Sequence, residues 1–123
     1  MPQSTDVKIF VPAKDFKVSL DFYVQLGWKL NWNHNKGLAE LELANCRFLL
    51  QDFYIKEWAH NFMMYINVSD SQEWYTHIDE VIRSDQRFKE CRVNPPKDEG
   101  HGIVTYVWDP SGVLLHFSQE KRR

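Results

Sequence analysis

The chain has few of the residues on which specialised small proteins depend. Its 123 residues include two cysteines, Cys46 and Cys91. Two are too few for a disulfide framework, and they form no CxxC pair. Both thiols are expected to be buried and reduced, in a cytoplasmic setting. A large charge of one sign is missing as well. Fifteen Lys and Arg stand against 17 Asp and Glu, for a formal charge of −2. That balance offers no basic footprint to nucleic acid. No apolar run reaches the roughly 18 residues of a membrane-spanning helix, and no charged start followed by an apolar stretch marks a signal peptide. No nucleic-acid or membrane partner is expected. GxSxG, a glycine-rich phosphate loop, HExxH and paired zinc-ligand motifs are all missing, so the common routes to nucleophilic, phosphoryl and zinc chemistry are closed.

What is present is apolar: 43% of residues are hydrophobic and 15% aromatic, ample for a globular interior. The length suits one compact unit or two small half-domains sharing a core. The most informative stretch is VTYVWDPSGVLLHF, residues 104–117. Two short strands flank Asp109-Pro110-Ser111-Gly112, in which Pro presets φ for a turn and Gly accepts a positive φ. By itself this establishes a hairpin.

Upstream, residues 7–12 read as a strand. Asp15 can cap a helix running to about Leu26, where Gly27 supplies a stop. Phe16, Leu20, Tyr23 and Val24 would form its apolar face, with Phe22 and Leu26 beside it. A strand over 28–32 follows, then a hairpin of 38–44 and 47–52 around Asn45-Cys46, then an aromatic-rich loop over 53–60. The order then recurs. A strand at 62–68 precedes a helix capped by Ser69 or Asp70 and ending near Ser84. A weaker strand lies near 88–93, a polar loop covers 94–102, and the terminal hairpin closes the chain. The pattern is βαβββ twice, over about 7–52 and 62–118, within a single domain of α+β class. Lys121-Arg122-Arg123 reads as a solvated end.

Strand parity adds an independent clue. Val7, Ile9 and Val11 alternate with Lys8, Phe10 and Pro12. Phe62, Met64, Ile66 and Val68 alternate with Met63, Tyr65 and Asn67. Val113, Leu115 and Phe117 alternate with Leu114, His116 and Ser118, and the aliphatics of 39–43 alternate with Glu40 and Glu42. One face is thus aliphatic, fit to lie under a helix. The other mixes charge, amide, imidazole and aromatic groups, so it is either solvated or curled around a ligand.

Three stretches in this order resemble the vicinal oxygen chelate superfamily and its bleomycin-resistance-protein branch. They are VPAKDFKVSLDFYVQLGW (11–28), NFMMYINVSDSQEWY (61–75) and GHGIVTYVWDPSGVLLHFSQ (100–119). The resemblance spans essentially the whole chain. It implies two βαβββ modules whose curled mixed sheets form an open cup, a homodimer, and a ligand held in the cup or at the subunit junction. Enzymes of the superfamily hold a divalent metal there. Transferred by position, the four ligand slots fall on Lys8, Gln51, Met63 and His116. Lysine repels a cation and a thioether is a poor donor to hard ions, so only His116 is a good ligand where about three are needed. No metal or other cofactor is therefore expected.

The resemblance implies a non-catalytic protein, of the kind that confers antibiotic resistance by sequestering a planar, cationic small molecule. Candidate ligand-binding residues are Lys8, Phe10, Trp32, Glu42, Gln51, Phe53, Trp58, His60, Tyr65, His101 and His116. Phe53, Trp58 and Tyr65 would stack on rings, Gln51 and His116 would anchor polar groups, and Glu42 would offset positive charge. His60 and His101 would rim the cup. Two other functions remain open at this point. One is a metal-dependent lyase, isomerase or dioxygenase of the same superfamily, with Glu40 or Glu42 substituting for lost ligands. The other is a protein-interaction module with a vestigial cup.

Overall fold

Asp15 and Asp70 open two long helices in the same way. Each side chain accepts a backbone N–H of the first turn, from Val18 at 3.3 Å and from Glu73 at 3.0 Å, which satisfies donors the helix cannot use itself. The computed structural model describes residues 1–121. In chain order its elements are β1 (Ile9–Pro12), α1 (Phe16–Leu26), β2 (Lys29–His34), β3 (Leu38–Leu43), β4 (Cys46–Gln51), α2 (Lys56–Ala59), β5 (Met63–Val68), α3 (Ser71–Ser84), β6 (Arg92–Val93), β7 (Lys97–Asp98), β8 (Gly102–Trp108) and β9 (Leu114–Glu120). A short 3-10 turn, Gln86–Phe88, follows α3. Gly27 ends α1 at φ 127°, and its N–H reaches the Tyr23 and Val24 carbonyls, a conformation that side-chain-bearing residues avoid.

The strands form two open sheets of the same plan. The first runs β1-β4-β3-β2 and the second β5-β9-β8-β6, with β7 also on β8. In each, the first strand lies parallel to the last and the remaining pairs are antiparallel. The chain thus has the α+β architecture expected of two βαβββ units, with the sheets not closed into a barrel. Helices cover one side only. Tyr23 of α1 meets Phe48 of β4 with ring centroids 5.1 Å apart, and Trp74 of α3 stacks on Phe117 of β9 at 4.8 Å. Trp28 reaches both Phe48 and Phe117, so one apolar core is shared by the two units.

The terminal turn is tied to the first unit. Asp109 Oδ1 accepts N–H groups from Ser111 at 2.8 Å and Val113 at 2.9 Å, while Oδ2 accepts the Tyr23 hydroxyl at 2.7 Å. Ser111 Oγ accepts the Lys14 N–H and shares a hydrogen bond with Ser19. Burial pushes the Asp109 carboxyl up to about 6 despite these bonds, and holds the Tyr23 hydroxyl well above its ordinary range beside that carboxylate. Gly112 takes φ 92°. A Cβ there would also lie 2.6 Å from the His60 ring.

Several expectations need correction. Cys46 is exposed at the β3–β4 turn, and only Cys91 is buried. The hairpin turns at Ala44-Asn45, with Ala44 at φ 54°, so Cys46 already belongs to β4. Val7, Ile9 and Val24 are exposed, because β1 is an outer strand and the end of α1 rolls its Val24 side outward. The aromatic loop contains the one-turn helix α2, and the weak strand of the second unit shortens to Arg92–Val93, with β7 set within the polar loop. Lys121 pairs with Asp98 at 2.8 Å; Arg122 and Arg123 lie outside the described residues. No described helix is long and apolar enough to cross a membrane.

Candidate functional site on the uncovered sheet faces

The side of each sheet away from the helices carries the candidate residues, but in two separate groups. On the second sheet the register aligns Tyr65, His116 and Tyr106 across β5, β9 and β8, and sets Arg92 of β6 beside Trp108. The rings form a continuous row. Tyr65 and His116 centroids are 6.0 Å apart, His116 and Tyr106 5.0 Å, and Tyr106 and Trp108 6.5 Å. The Arg92 guanidinium closes the row, 4.0 Å above the Trp108 ring. Cross-strand pairing at a spacing of about 5 Å brings such side chains into contact. His101 flanks the row, 6.3 Å from Tyr65.

Hydrogen bonds orient these rings. Tyr65 donates to Ser118 Oγ at 2.8 Å, and Tyr106 donates to Glu99 Oε2 at 2.7 Å. The latter bond holds the Glu99 carboxyl below its ordinary value and raises the Tyr106 hydroxyl. His116 Nε2 lies 3.4 Å from Met63 Sδ; a thioether can only accept, so this is a bond of the Nε2–H tautomer. Burial, together with the neighbouring His101, lowers the His116 pKa from 6.5. That direction favours the uncharged ring, and the charge on the row is the Arg92 guanidinium at its Trp108 end.

The first sheet contributes an ionic cluster. A bulge between Leu30 and Trp32 puts an extra residue into β2 opposite Glu40, and Asn31 uses it to reach two carboxylates. Its Nδ2 donates to Glu40 Oε2 at 2.8 Å and to Glu42 Oε1 at 2.9 Å. Glu40 is almost wholly buried. Its Oε1 has no hydrogen-bond partner beyond the ion pair it makes with Lys8. Bonds from Lys8 and then Asn31 hold its carboxyl below the ordinary range. Asp6 stands 3.8 Å from the same ammonium. The positive charge of Lys8 is thus neutralised within the cluster, while Glu42 stands opposite Arg47 in the β3–β4 register and makes no ion pair among the described residues.

The other candidates distribute around these groups. Trp32 faces Glu40 from β2, with its ring 5.1 Å from His34. Phe10 is exposed on β1 beside Leu49, and Gln51 is half-buried between Pro12 and Leu38. Phe53 is exposed, but Trp58 is half-buried on α2, its ring 6.2 Å from both Phe53 and Phe62. Trp58 is supported by these two rings and is not a free loop anchor. His60 lies on Gly112 at the terminal turn, beside Lys14, Lys56 and Trp108. Among the described residues, no hydrogen bond, ion pair or ring contact joins the Lys8–Glu42 cluster to the Tyr65–Trp108 row. Tyr106, Trp108, Arg92 and Asn31 were missed in the sequence reading. Counting parity back from His116 through the turn would have found the first two.

The four slots that the superfamily uses for a metal do not fit one here. The Lys8 ammonium is held by Glu40, His116 turns its proton-bearing nitrogen to Met63, and Gln51 offers one neutral oxygen. Among the described residues, no three of His, Cys, Asp and Glu come together as a metal-binding group.

No protein-family model matches the chain, and no curated protein matches its sequence. Solved structures match it closely in shape. The fold is that of bleomycin-binding proteins and of glyoxalase/bleomycin resistance/dioxygenase domains. The bleomycin-binding protein of bleomycin-producing Streptomyces verticillus, solved with copper(II)-bleomycin, superposes with a TM-score of 0.77 at 18% identity, covering 98% of this chain and all of that one. The bleomycin resistance determinant of transposon Tn5 gives 0.73 at 22% identity, over 96% of this chain and all of that one. Lactoylglutathione lyase from Agrobacterium tumefaciens gives 0.68 at 15% identity, over 96% of this chain and 95% of that one. At these identities the likeness establishes the fold, and a fold shared by binders and an enzyme does not choose between them.

Proposed function

We propose that this protein binds a planar small molecule without transforming it, as the bleomycin-binding proteins of the same fold bind bleomycin, and that it belongs to the bleomycin-resistance branch of that superfamily. The observation that carries this reading is the row Tyr65–His116–Tyr106–Trp108 on a sheet face no helix covers. Ring stacking contributes roughly 0.5–1.5 kcal/mol per pair beyond area burial, and four adjacent rings suit a flat, extended ligand. Lys8 is paired with Glu40 and the His116 pKa is lowered, so Glu42, which makes no ion pair among the described residues, supports a cationic or neutral ligand on the first sheet, while Arg92 marks the Trp108 end of the row.

The complete cup is a property of two copies. β1 and β5 are the outer strands of their sheets, and they carry exposed Ile9, Phe10, Met63 and Tyr65. Outer strands with apolar side chains and unpaired backbone groups invite a second chain. A homodimer built on these edges would set the Lys8–Glu42 cluster of one copy toward the Tyr65–Trp108 row of the other. The ligand would then lie between an aromatic wall and an acidic one.

The test is a titration with copper(II)-bleomycin and with a panel of planar cations and neutral rings, followed by tryptophan fluorescence. Quenching that saturates at micromolar ligand, and that weakens at least tenfold in Tyr106→Ala, supports the reading. If no planar compound binds below millimolar concentration, the reading falls.

A further inference from the structure

We propose a second binding site, for a ring-bearing oxyanion, in the cleft between α2, the β1–α1 junction and the Asp109–Gly112 turn. This cleft encloses about 500 Å3, within the range that holds a small organic ligand. Its lining includes Lys14, Lys56, His60 and Arg92 from four different parts of the chain. In a protein whose formal charge is −2, such convergence of cations runs against the average surface.

These groups are gathered but not used. Among the described residues, none of Lys14, Lys56 and Arg92 makes a salt bridge, although six other Lys and Arg residues do. Nor, among the described residues, does any side-chain donor of Lys14, Lys56, His60 or Arg92 have a hydrogen-bond partner; the nearby Ser111 hydroxyl is engaged with the Lys14 N–H and Ser19. The carboxylate most available to oppose them, Asp109, is turned inward and saturated by Tyr23, Ser111 and Val113. Glu90 is the one other acid in the lining.

Two of the cations are set on aromatic rings. Arg92 lies 4.0 Å above Trp108, and Lys14 lies 5.7 Å from the centre of the Tyr54 ring. Stacking fixes the guanidinium plane and leaves its edge donors free, the arrangement that grips phosphate or carboxylate through paired bonds. Trp108 and Tyr54 also give the cleft aromatic surface for a ring. The chemistry wanted is therefore an aryl phosphate or aryl carboxylate. Its sign is opposite to that favoured by the uncovered faces, so the two sites would select different molecules. Only Trp108 and Arg92 are common to both.

The experiment uses the full chain, with 15N-labelled protein titrated by phenyl phosphate, inorganic phosphate and benzyl alcohol. Saturable shifts are expected at Gly112, Ser111 and the Trp108 indole N–H with phenyl phosphate, with inorganic phosphate weaker and benzyl alcohol weakest. Raising salt from about 50 to 500 mM should weaken binding severalfold. Lys14→Glu with Lys56→Glu should weaken it at least about tenfold, and both side chains are exposed, so an unchanged spectrum elsewhere will certify the fold. The proposal is overturned if phenyl phosphate gives no saturable shift, if the double variant binds as well as the parent, or if the shifts fall on Tyr65 and His116. Failure of planar cations to bind the aromatic row would leave this result untouched.

Discussion

Replacing Tyr23 by Phe should destabilise the protein by an amount that depends on pH, because the lost hydroxyl serves a titrating carboxylate. Tyr23 and Asp109 are both fully enclosed, and their hydrogen bond is 2.7 Å long. Burial raises the Asp109 pKa from 3.8 to about 6, and the Tyr23 hydroxyl opposes that rise. A raised acid contributes stability that is fully present below its unfolded value, near 3.8, and is lost as pH climbs through 6. The parent protein thus loses about 3 kcal/mol from this group between roughly pH 3 and pH 8. At pH 8 the carboxylate is ionised, and removing its donor costs about 1.5–3 kcal/mol, as for bonds to charged groups. At pH 5 Asp109 is mostly protonated, the bond is one between neutral groups, and the cost falls to about 1 kcal/mol. His116, whose lowered pKa acts with the opposite sign, cancels when parent and variant are compared at each pH. The assay is urea denaturation at pH 5 and pH 8, followed by fluorescence of Trp28, whose ring lies 5.3 Å from that of Tyr23. Equal destabilisation at both pH values, or a variant more stable than the parent at pH 8, would refute the reasoning.

Gly112→Ala should cost about 2–4 kcal/mol in chemical denaturation, since a positive φ and the His60 ring both oppose a Cβ; His60→Ala in the same chain should recover part of the loss, which a purely backbone strain would not allow. Phe117→Ala removes a ring stacked on Trp74 and edge-on to Trp28, and should lower stability by about 3–5 kcal/mol in urea melts. Light scattering at micromolar concentration should give twice the 14.7 kDa chain mass. Charged substitution of Ile9 and Met63 together should return that mass to the monomer value while circular dichroism stays unchanged. Glu42→Gln should weaken binding of a planar cation severalfold and leave a neutral ring unaffected, as read by fluorescence titration.

The secondary elements were legible because their causes are local. Asp15 and Asp70 cap, Gly27 stops, and Asp-Pro-x-Gly turns, each through contacts within a few residues. The two-residue alternation on β5 and β9 likewise placed Met63, Tyr65 and His116 on one face and Met64, Leu115 and Phe117 on the other. Applied to residues 102–108, the same count would have reached Tyr106 and Trp108. What no local pattern could supply is register and distance. Asn31 matters only because a bulge slides β2 past β3, and Arg92 only because a two-residue strand sets it above Trp108.

Composition, caps, turns and alternation therefore determined the α+β class, the repeated strand order and which face of each sheet is polar, since these follow from backbone preferences and from the need to hide one apolar side. Tertiary structure alone decided which polar residues meet. Packing through α1 and α3 ties Tyr23 to Asp109 across 86 positions of sequence, moves His60 onto the terminal turn and leaves the two halves of the candidate cup apart. Those outcomes depend on how two sheets share one core, and side-chain volumes spread over the whole chain govern that packing.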